Sequence, residues 1–323
     1  MDRKDRNGSF EMRVREQPLV DSLYDGLAML EAGPFPLPGI QNLMRRDAYV
    51  MQLVDSIRRV RYVSVIAGRE IHPDRANGVS TMFDPLRAAI LRRRDGQFEE
   101  ACWLVFLFVH FGKHARSGYR YAREIYAALG TRAPWTFANV CADVAGFRGW
   151  LDAHEGEISR GSARGFGNHR KYESLAAFGP NGTGEAVATY VQWVLGHESH
   201  EALFAGALAR ANGDAFIAFD DLYRSMAIVR RFGRTARFDY LTMVSKLGLA
   251  AIHPGSAYFS NSTGPVVGAR LMLQGNINHD LTNAELDRRV GLMAHNLGVG
   301  MQEMEDSLCN WQKTPDHYTR SRA

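Results

Sequence analysis

The sequence predicts an all-α fold, and three observations carry that prediction. Apolar residues recur at helical spacing through most of the chain, with almost none of the strict alternation that a half-buried strand requires. Start and stop residues punctuate these stretches, with Ser, Thr or Asp before them and Gly after. Of 323 residues, 46% are hydrophobic and 23% charged, enough for one large core or two modest ones.

The elements follow in order. In "NLMRRDAYVMQLVDSIRRVRYVSVI", Leu43, Val50, Leu53, Ile57 and Val60 share a helical face. "FDPLRAAILRRRDG" offers Asp84 as N-cap, Pro85 at the first helical position and Gly96 as stop. The run "ACWLVFLFV" is too short to span a bilayer and reads as a buried helix. Further helices are expected from Ser117 to Gly130, Thr183 to Gly196, Ser199 to Gly213 and Gly233 to Gly248. Thr282 with Glu285 three residues on forms a capping box, and Trp311 in "LCNWQK" reads as a core anchor. No fixed-period repeat supports a solenoid. Residues 1–35, polar and then Gly/Pro-rich, read as a flexible N-terminal arm. Residues 36–323 read as one two-lobed body, with lobes 36–158 and 173–323 and a basic loop, 159–172, between them.

Several function classes find no support. Cys102, Cys141 and Cys309 are odd in number and far apart, which argues against a disulfide framework or structural zinc and fits a reducing cytoplasm. The charged N-terminus does not read as a secretory signal. Phosphate-loop, dinucleotide, HExxH and GxSxG motifs are missing. His110 and His114 have the i,i+4 spacing of a chelating pair but no third ligand in a matching context, so no metal and no organic cofactor is expected.

The positive charge is more informative. Net charge is +4, and only five of the 39 basic residues are lysine. Arginine binds phosphate bidentately and stacks on bases. A GC-rich coding bias accounts for the excess, but not for its clustering. Three clusters interleave cations with aromatic rings, as a groove for phosphates and an unstacked base requires. The first, in the stretch that also carries His114 as a DNA contact, holds Lys113, Arg116, Arg120 and Arg123 interleaved with Phe111, Tyr119 and Tyr121; the second holds Arg160, Arg164, Arg170 and Lys171 beside Phe166, Asn168, His169 and Tyr172. The third is "RRFGRTAR", with Arg230, Arg231, Arg234 and Arg237. A solvated helix face is the plain alternative for each taken singly.

Gly233, Arg234 and Thr235 open a helix whose free N–H groups suit a phosphate. This resembles half of a helix–hairpin–helix, the non-specific DNA grip of one glycosylase superfamily. The hairpin is one residue shorter than that pattern and carries Arg in place of a lyase lysine. The superfamily's catalytic Asp would fall near "HPGS", residues 253–256, where no carboxylate stands. Asp239 is the carboxylate nearest the hairpin and the candidate catalytic residue, either stabilising charge at C1′ or activating water. Its structural alternative is a pairing with Arg234 or Arg237. Asn168, His169, Lys171 and Tyr172, with Phe166 and His110, are the expected base pocket, where amides read a flipped base and rings stack on it. Asn168 is alternatively a helix cap. Ser262, Thr263 and Arg270 form a second expected phosphate contact around the start at Gly264-Pro265.

A longer set of motifs, "DSIRRVRY", "FDPLRAAI", "WLVFLFVHFGKH", "GFGNHRKYESL", "FGRTARFDYLTMVSKLGL", "STGPVVGARLML" and "LCNWQK", resembles the alpha-glutamyl/putrescinyl thymine pyrophosphorylase clade 3 family over about residues 40–313. The resemblance implies a two-lobed all-α DNA-glycosylase-like fold acting on modified bases in DNA. Bacterial relatives are understood to excise modified phage bases in antiphage defence, and phage relatives to attach amino acids or polyamines to thymine. The expectation is therefore a monofunctional, cytoplasmic DNA glycosylase that flips out a modified pyrimidine. Its alternatives are a transferase acting on an activated 5-hydroxymethyl thymine and a non-enzymatic reader of modified DNA.

Overall fold

The computed structural model describes residues 16–33, 36–161, 165–260, 262–278 and 280–320, and only the backbone of Asn168. Among the described residues it is all-α, with no strand. The helices are α1 (Gln17–Ala32), α2 (Leu43–Ala67), α3 (Pro85–Arg94), α4 (Phe98–Phe111), α5 (Arg120–Tyr126), α6 (Phe137–Ala142) and α7 (Val144–Ile158). They continue as α8 (Thr183–Leu195), α9 (His200–Arg210), α10 (Ala215–Ser225), α11 (Arg234–Lys246), α12 (Gly264–Gln274), α13 (Asn283–Leu297) and α14 (Met301–Trp311).

The start signals act mostly as expected. Asp84 accepts from the N–H groups of Leu86 and Arg87, each at 3.1 Å, and Ser199 accepts from Ala202. Thr282 caps Glu285 N–H at 3.2 Å, while the Glu285 carboxylate pairs with Arg288 and Arg289. The helix expected from Ser117 starts three residues later, at Arg120. Ser117 instead gives both its N–H and its hydroxyl to His114 Nδ1, at 3.2 and 2.9 Å, which closes a turn.

Two compact units make up the chain, Met1–Val63 with Pro254–Ala323, and Ser64–His253. This division differs from lobes at 36–158 and 173–323: the basic loop falls inside the second unit, and the chain's two ends share the first. The expected arm also needs correction. Residues 17–32 form α1, which buries Val20, Leu23, Leu27 and Leu30 and packs on α13. Their i, i+3, i+4 spacing gives α1 an apolar stripe that belongs in the core. In the first unit α12 lies close against α14, where a Cβ on Gly268 would come within 2.3 Å of the Leu308 carbonyl oxygen. Trp311 anchors α14 as expected, edge-on to Tyr49 with ring centroids 5.4 Å apart.

The second unit is organised by α4. From Ala101 to Leu107 every residue is buried, because the helix is apolar on all sides and is covered by α3, α5, α6, α9 and α11. Its C-terminus and the start of α11 position the candidate site.

Candidate active site

At Gly112 α4 ends with φ +61°, a left-handed conformation that glycine adopts freely. The chain returns to this end through Gly167, whose N–H donates to the Phe111 carbonyl at 2.7 Å. A Cβ on Gly167 would lie 2.7 Å from Lys113 N, so the two segments meet backbone to backbone only through glycine. This contact seats the turn Asn168–Arg170 beside α4.

Arg170 points inward. Its Nε donates to the Val109 carbonyl at 2.9 Å, and its terminal nitrogen pairs with Asp239 Oδ2 on α11 at 3.3 Å. The Arg170 side chain is 9% exposed and that of Asp239 42%. Burial raises the Asp239 pKa, and the positive charges of Arg170, His169, Arg234 and Lys246 oppose that rise without cancelling it. The Asp239 carboxylate is hemmed in by protein yet partly open to solvent. Asp239 thus has the combination a proton-handling carboxylate needs: a raised pKa, adjacent cations and access.

Around it the sequence candidates divide by exposure. His169 and Lys171 are exposed, as are Lys113 and Arg116. Tyr172 is 82% exposed, with the Lys171 ammonium 5.0 Å from its ring centroid. His110 and Phe166 are correspondingly not open to a base in this structure. Phe166 is buried, stacked on Phe111 with edge contacts to Tyr121 and His110. His110 is buried against Phe106 and Phe232, with Nε2 3.0 Å from the Thr183 hydroxyl. Burial, reinforced by the charges of Arg170 and Arg231, pushes the His110 pKa down to about 3, so its ring is neutral. Apolar enclosure made both residues core because aromatic rings fill the gap between α4 and the loop.

The expected phosphate contacts sort in the same way. His114 uses Nδ1 in its own turn, and Arg120 pairs with Glu124 at 2.6 Å. Arg237 donates to the Tyr223 carbonyl at 3.0 Å and lies over the Tyr223 ring. Arg234 is buried over Phe238, so neither arginine is displayed as a phosphate donor. Gly233 and Thr235 are exposed at the start of α11, where glycine stands at the N-cap. In the first unit, Thr263 is exposed at the start of α12, Ser262 is half-buried, and Arg270 is buried with a bond to Asn283 at 3.2 Å. Arg164 and the Asn168 side chain lie outside the described residues.

Sequence reasoning missed that Arg170, placed among the phosphate donors, is the partner of Asp239. It also passed over Glu173, which pairs with Arg231 at 2.6 Å and ties the end of the loop to the segment before α11. Both signals were one charged residue among several in a run. Among the described residues, no helix is long and apolar enough to cross a membrane.

Helices alone, a glycine-seated basic loop and a half-open carboxylate define a helical protein with a candidate polar active site. The model of the alpha-glutamyl/putrescinyl thymine pyrophosphorylase clade 3 family matches residues 44–323, and the chain belongs to that family. By its name the family acts in thymine modification. No curated protein and no solved structure matches the chain.

Proposed function

We propose that this protein is a DNA glycosylase that extrudes a modified pyrimidine and cuts its N-glycosidic bond. The observation that carries the proposal is Asp239, half-open and paired with Arg170 beside the exposed residues His169, Lys171 and Tyr172. As the C1′–N bond breaks, its electron pair leaves with the base, which takes up a proton. The positive charge left on the sugar is stabilised by the Asp239 carboxylate, and water adds at C1′ with its proton passing to that carboxylate and from it to the departing base. Exposed Lys113, Arg116 and Lys171, with the exposed start of α11 at Gly233 and Thr235, would hold backbone phosphates as in a helix–hairpin–helix grip. With arginine in the hairpin where a lyase lysine would stand, hydrolysis without strand cleavage is the outcome this reading favours.

The family name favours a second reading, in which an amine displaces pyrophosphate from an activated 5-hydroxymethyl group on thymine. Asp239 would then take the proton of the incoming amine. One experiment separates the two. The purified protein is incubated with DNAs carrying different pyrimidine modifications, and base and DNA are analysed by mass spectrometry. Free base with alkali-labile sites supports the glycosylase; a retained, heavier base together with released pyrophosphate supports the transferase. Binding with neither product would leave only a reader of modified DNA. An antiphage role would follow from a substrate base found in phage DNA and not in the host.

A further inference from the structure

Behind Asp239, four side chains from four helices of the second unit join in one hydrogen-bonded line. Tyr240 on α11 lies 2.9 Å from the Tyr190 hydroxyl on α8, which lies 2.5 Å from His200 Nε2 on α9. His200 Nδ1 lies 2.6 Å from Glu99 on α4. Burial works against the Glu99 charge, but bonds from the His200 ring and from the N–H groups of His200 and Glu201 outweigh it and hold its pKa below the ordinary value. Burial pushes the His200 imidazole below its own ordinary value, so the ring is neutral. With the ring neutral the bond directions follow, and the Tyr190 hydroxyl also has the Cys102 carbonyl 3.4 Å away as a second acceptor. The Glu99 carboxylate can only accept, so Nδ1 carries the ring proton and Nε2 must accept from Tyr190. The Tyr190 oxygen in turn accepts from Tyr240.

Tyr240, Tyr190 and His200 have no exposure, while the Glu99 side chain is 38% exposed. Packing alone does not call for these polar atoms. Tyr190 stacks on Phe106 at 4.0 Å and Tyr240 meets Tyr190 edge-on, contacts that phenylalanines would make without burying hydroxyls. What a hydroxyl adds is direction. Tyr240 follows Asp239 immediately, so the two side chains leave α11 about 100° apart. Any rotation of α11 that re-aimed Asp239 would pull the Tyr240 hydroxyl off Tyr190. In front, the same helix is held through Arg170 and Asp239.

We infer that Glu99, His200, Tyr190 and Tyr240 are positioning residues that fix the rotational setting of α11 and thereby the aim of the Asp239 carboxylate. The inference rests on Asp239 being the working carboxylate of the proposed reaction. It reaches to Glu99, which belongs to α4 and is joined to α11 through His200 and Tyr190.

The test uses Tyr240→Phe, which keeps the ring, and Glu99→Gln at the far end of the line. Each is measured for single-turnover base release, DNA affinity, melting temperature and the carboxyl titration of Asp239 by carbon-13 NMR, with Asp239→Asn assigning the signal. Each variant should slow base release roughly tenfold with affinity unchanged within about twofold, since aim and not binding is lost. Both should move the Asp239 midpoint in the same direction, and the double variant should be no worse than the worse single, as expected for one coupled device. Additive effects, losses that only track the melting temperature, or an unmoved midpoint in both variants would overturn the inference. If Glu99→Gln does not fold, Tyr190→Phe replaces it with the same expectations. Should the wild-type protein release no base from any DNA, the glycosylase reading fails, while the Asp239 titration still decides whether the line positions α11.

Discussion

Phe166 and Tyr172 belong to one basic loop and offer the same aromatic chemistry, yet they have opposite fates. Phe166 is core, held between Phe111, Tyr121 and His110, whereas Tyr172 is almost wholly in water with Lys171 beside its ring. Arg170 and Lys171 repeat the contrast one residue apart, the first turned inward to Val109 and Asp239 and the second exposed. A basic, aromatic stretch is therefore two things at once here. One set of side chains fastens the loop to α4 and α11, and the other is exposed.

Substitutions can break or sharpen this contrast. Phe166→Ala should cost about 3–5 kcal/mol of stability, as truncation of a buried ring does, and chemical denaturation would read it. A cost under about 1 kcal/mol would mean that Phe166 is not core. Arg170→Ala removes a buried, charge-assisted bond to the Val109 carbonyl and should cost about 2 kcal/mol. It should also raise the Asp239 pKa, since the nearest opposing cation is gone; carbon-13 NMR would follow that shift.

The pH dependence comes next. The His110 pKa falls from an ordinary 6.5 to about 3 on folding. Between these values the unfolded chain binds the proton and the folded chain does not, so the contribution of His110 to stability is complete above about pH 6.5 and is lost as the pH falls toward 3. The slope from this one group is at most about 1.4 kcal/mol per pH unit. Denaturation midpoints of wild type and His110→Gln, compared between pH 7 and 5, should converge as the pH falls; parallel curves would place a water-exposed histidine there. The smallest effects on stability belong to the exposed set. Tyr172→Ala and Lys171→Ala should each change stability by no more than about 0.5 kcal/mol. Tyr172→Ala should weaken single-strand DNA binding by about 1–3 kcal/mol through lost stacking. Lys171→Ala should lower the salt slope of binding by about 1. Binding that ignores both changes would remove the loop from the DNA interface.

Much of this was legible in the sequence because it is local. Asp84, Ser199 and Thr282 cap helices as their neighbours require, and the apolar run at Ala101–Leu107 is buried as its lack of a polar face implies. The family resemblance was readable from long motifs, and the family match covers residues 44–323. What the sequence did not reveal depends on which segments meet. The Arg170–Asp239 pair joins positions 69 residues apart, and Tyr240 reaches Glu99 only through two other helices. Residues 17–32 were read as an arm because the flanking Gly/Pro composition masked a regular apolar stripe.

The most direct test is Asp239→Asn, measured for base release, DNA affinity and melting temperature on a single preparation with a modified DNA that the wild type processes. The account predicts that base release falls by at least about a thousandfold, as expected when the group stabilising the developing charge is lost. The fold should remain intact, because Asp239 is half-open and burial already disfavours its charge. DNA affinity should be equal or tighter, since one negative charge near phosphates is gone. A stable Asp239→Asn protein that still releases base at the wild-type rate would contradict the account and move the chemistry to another carboxylate.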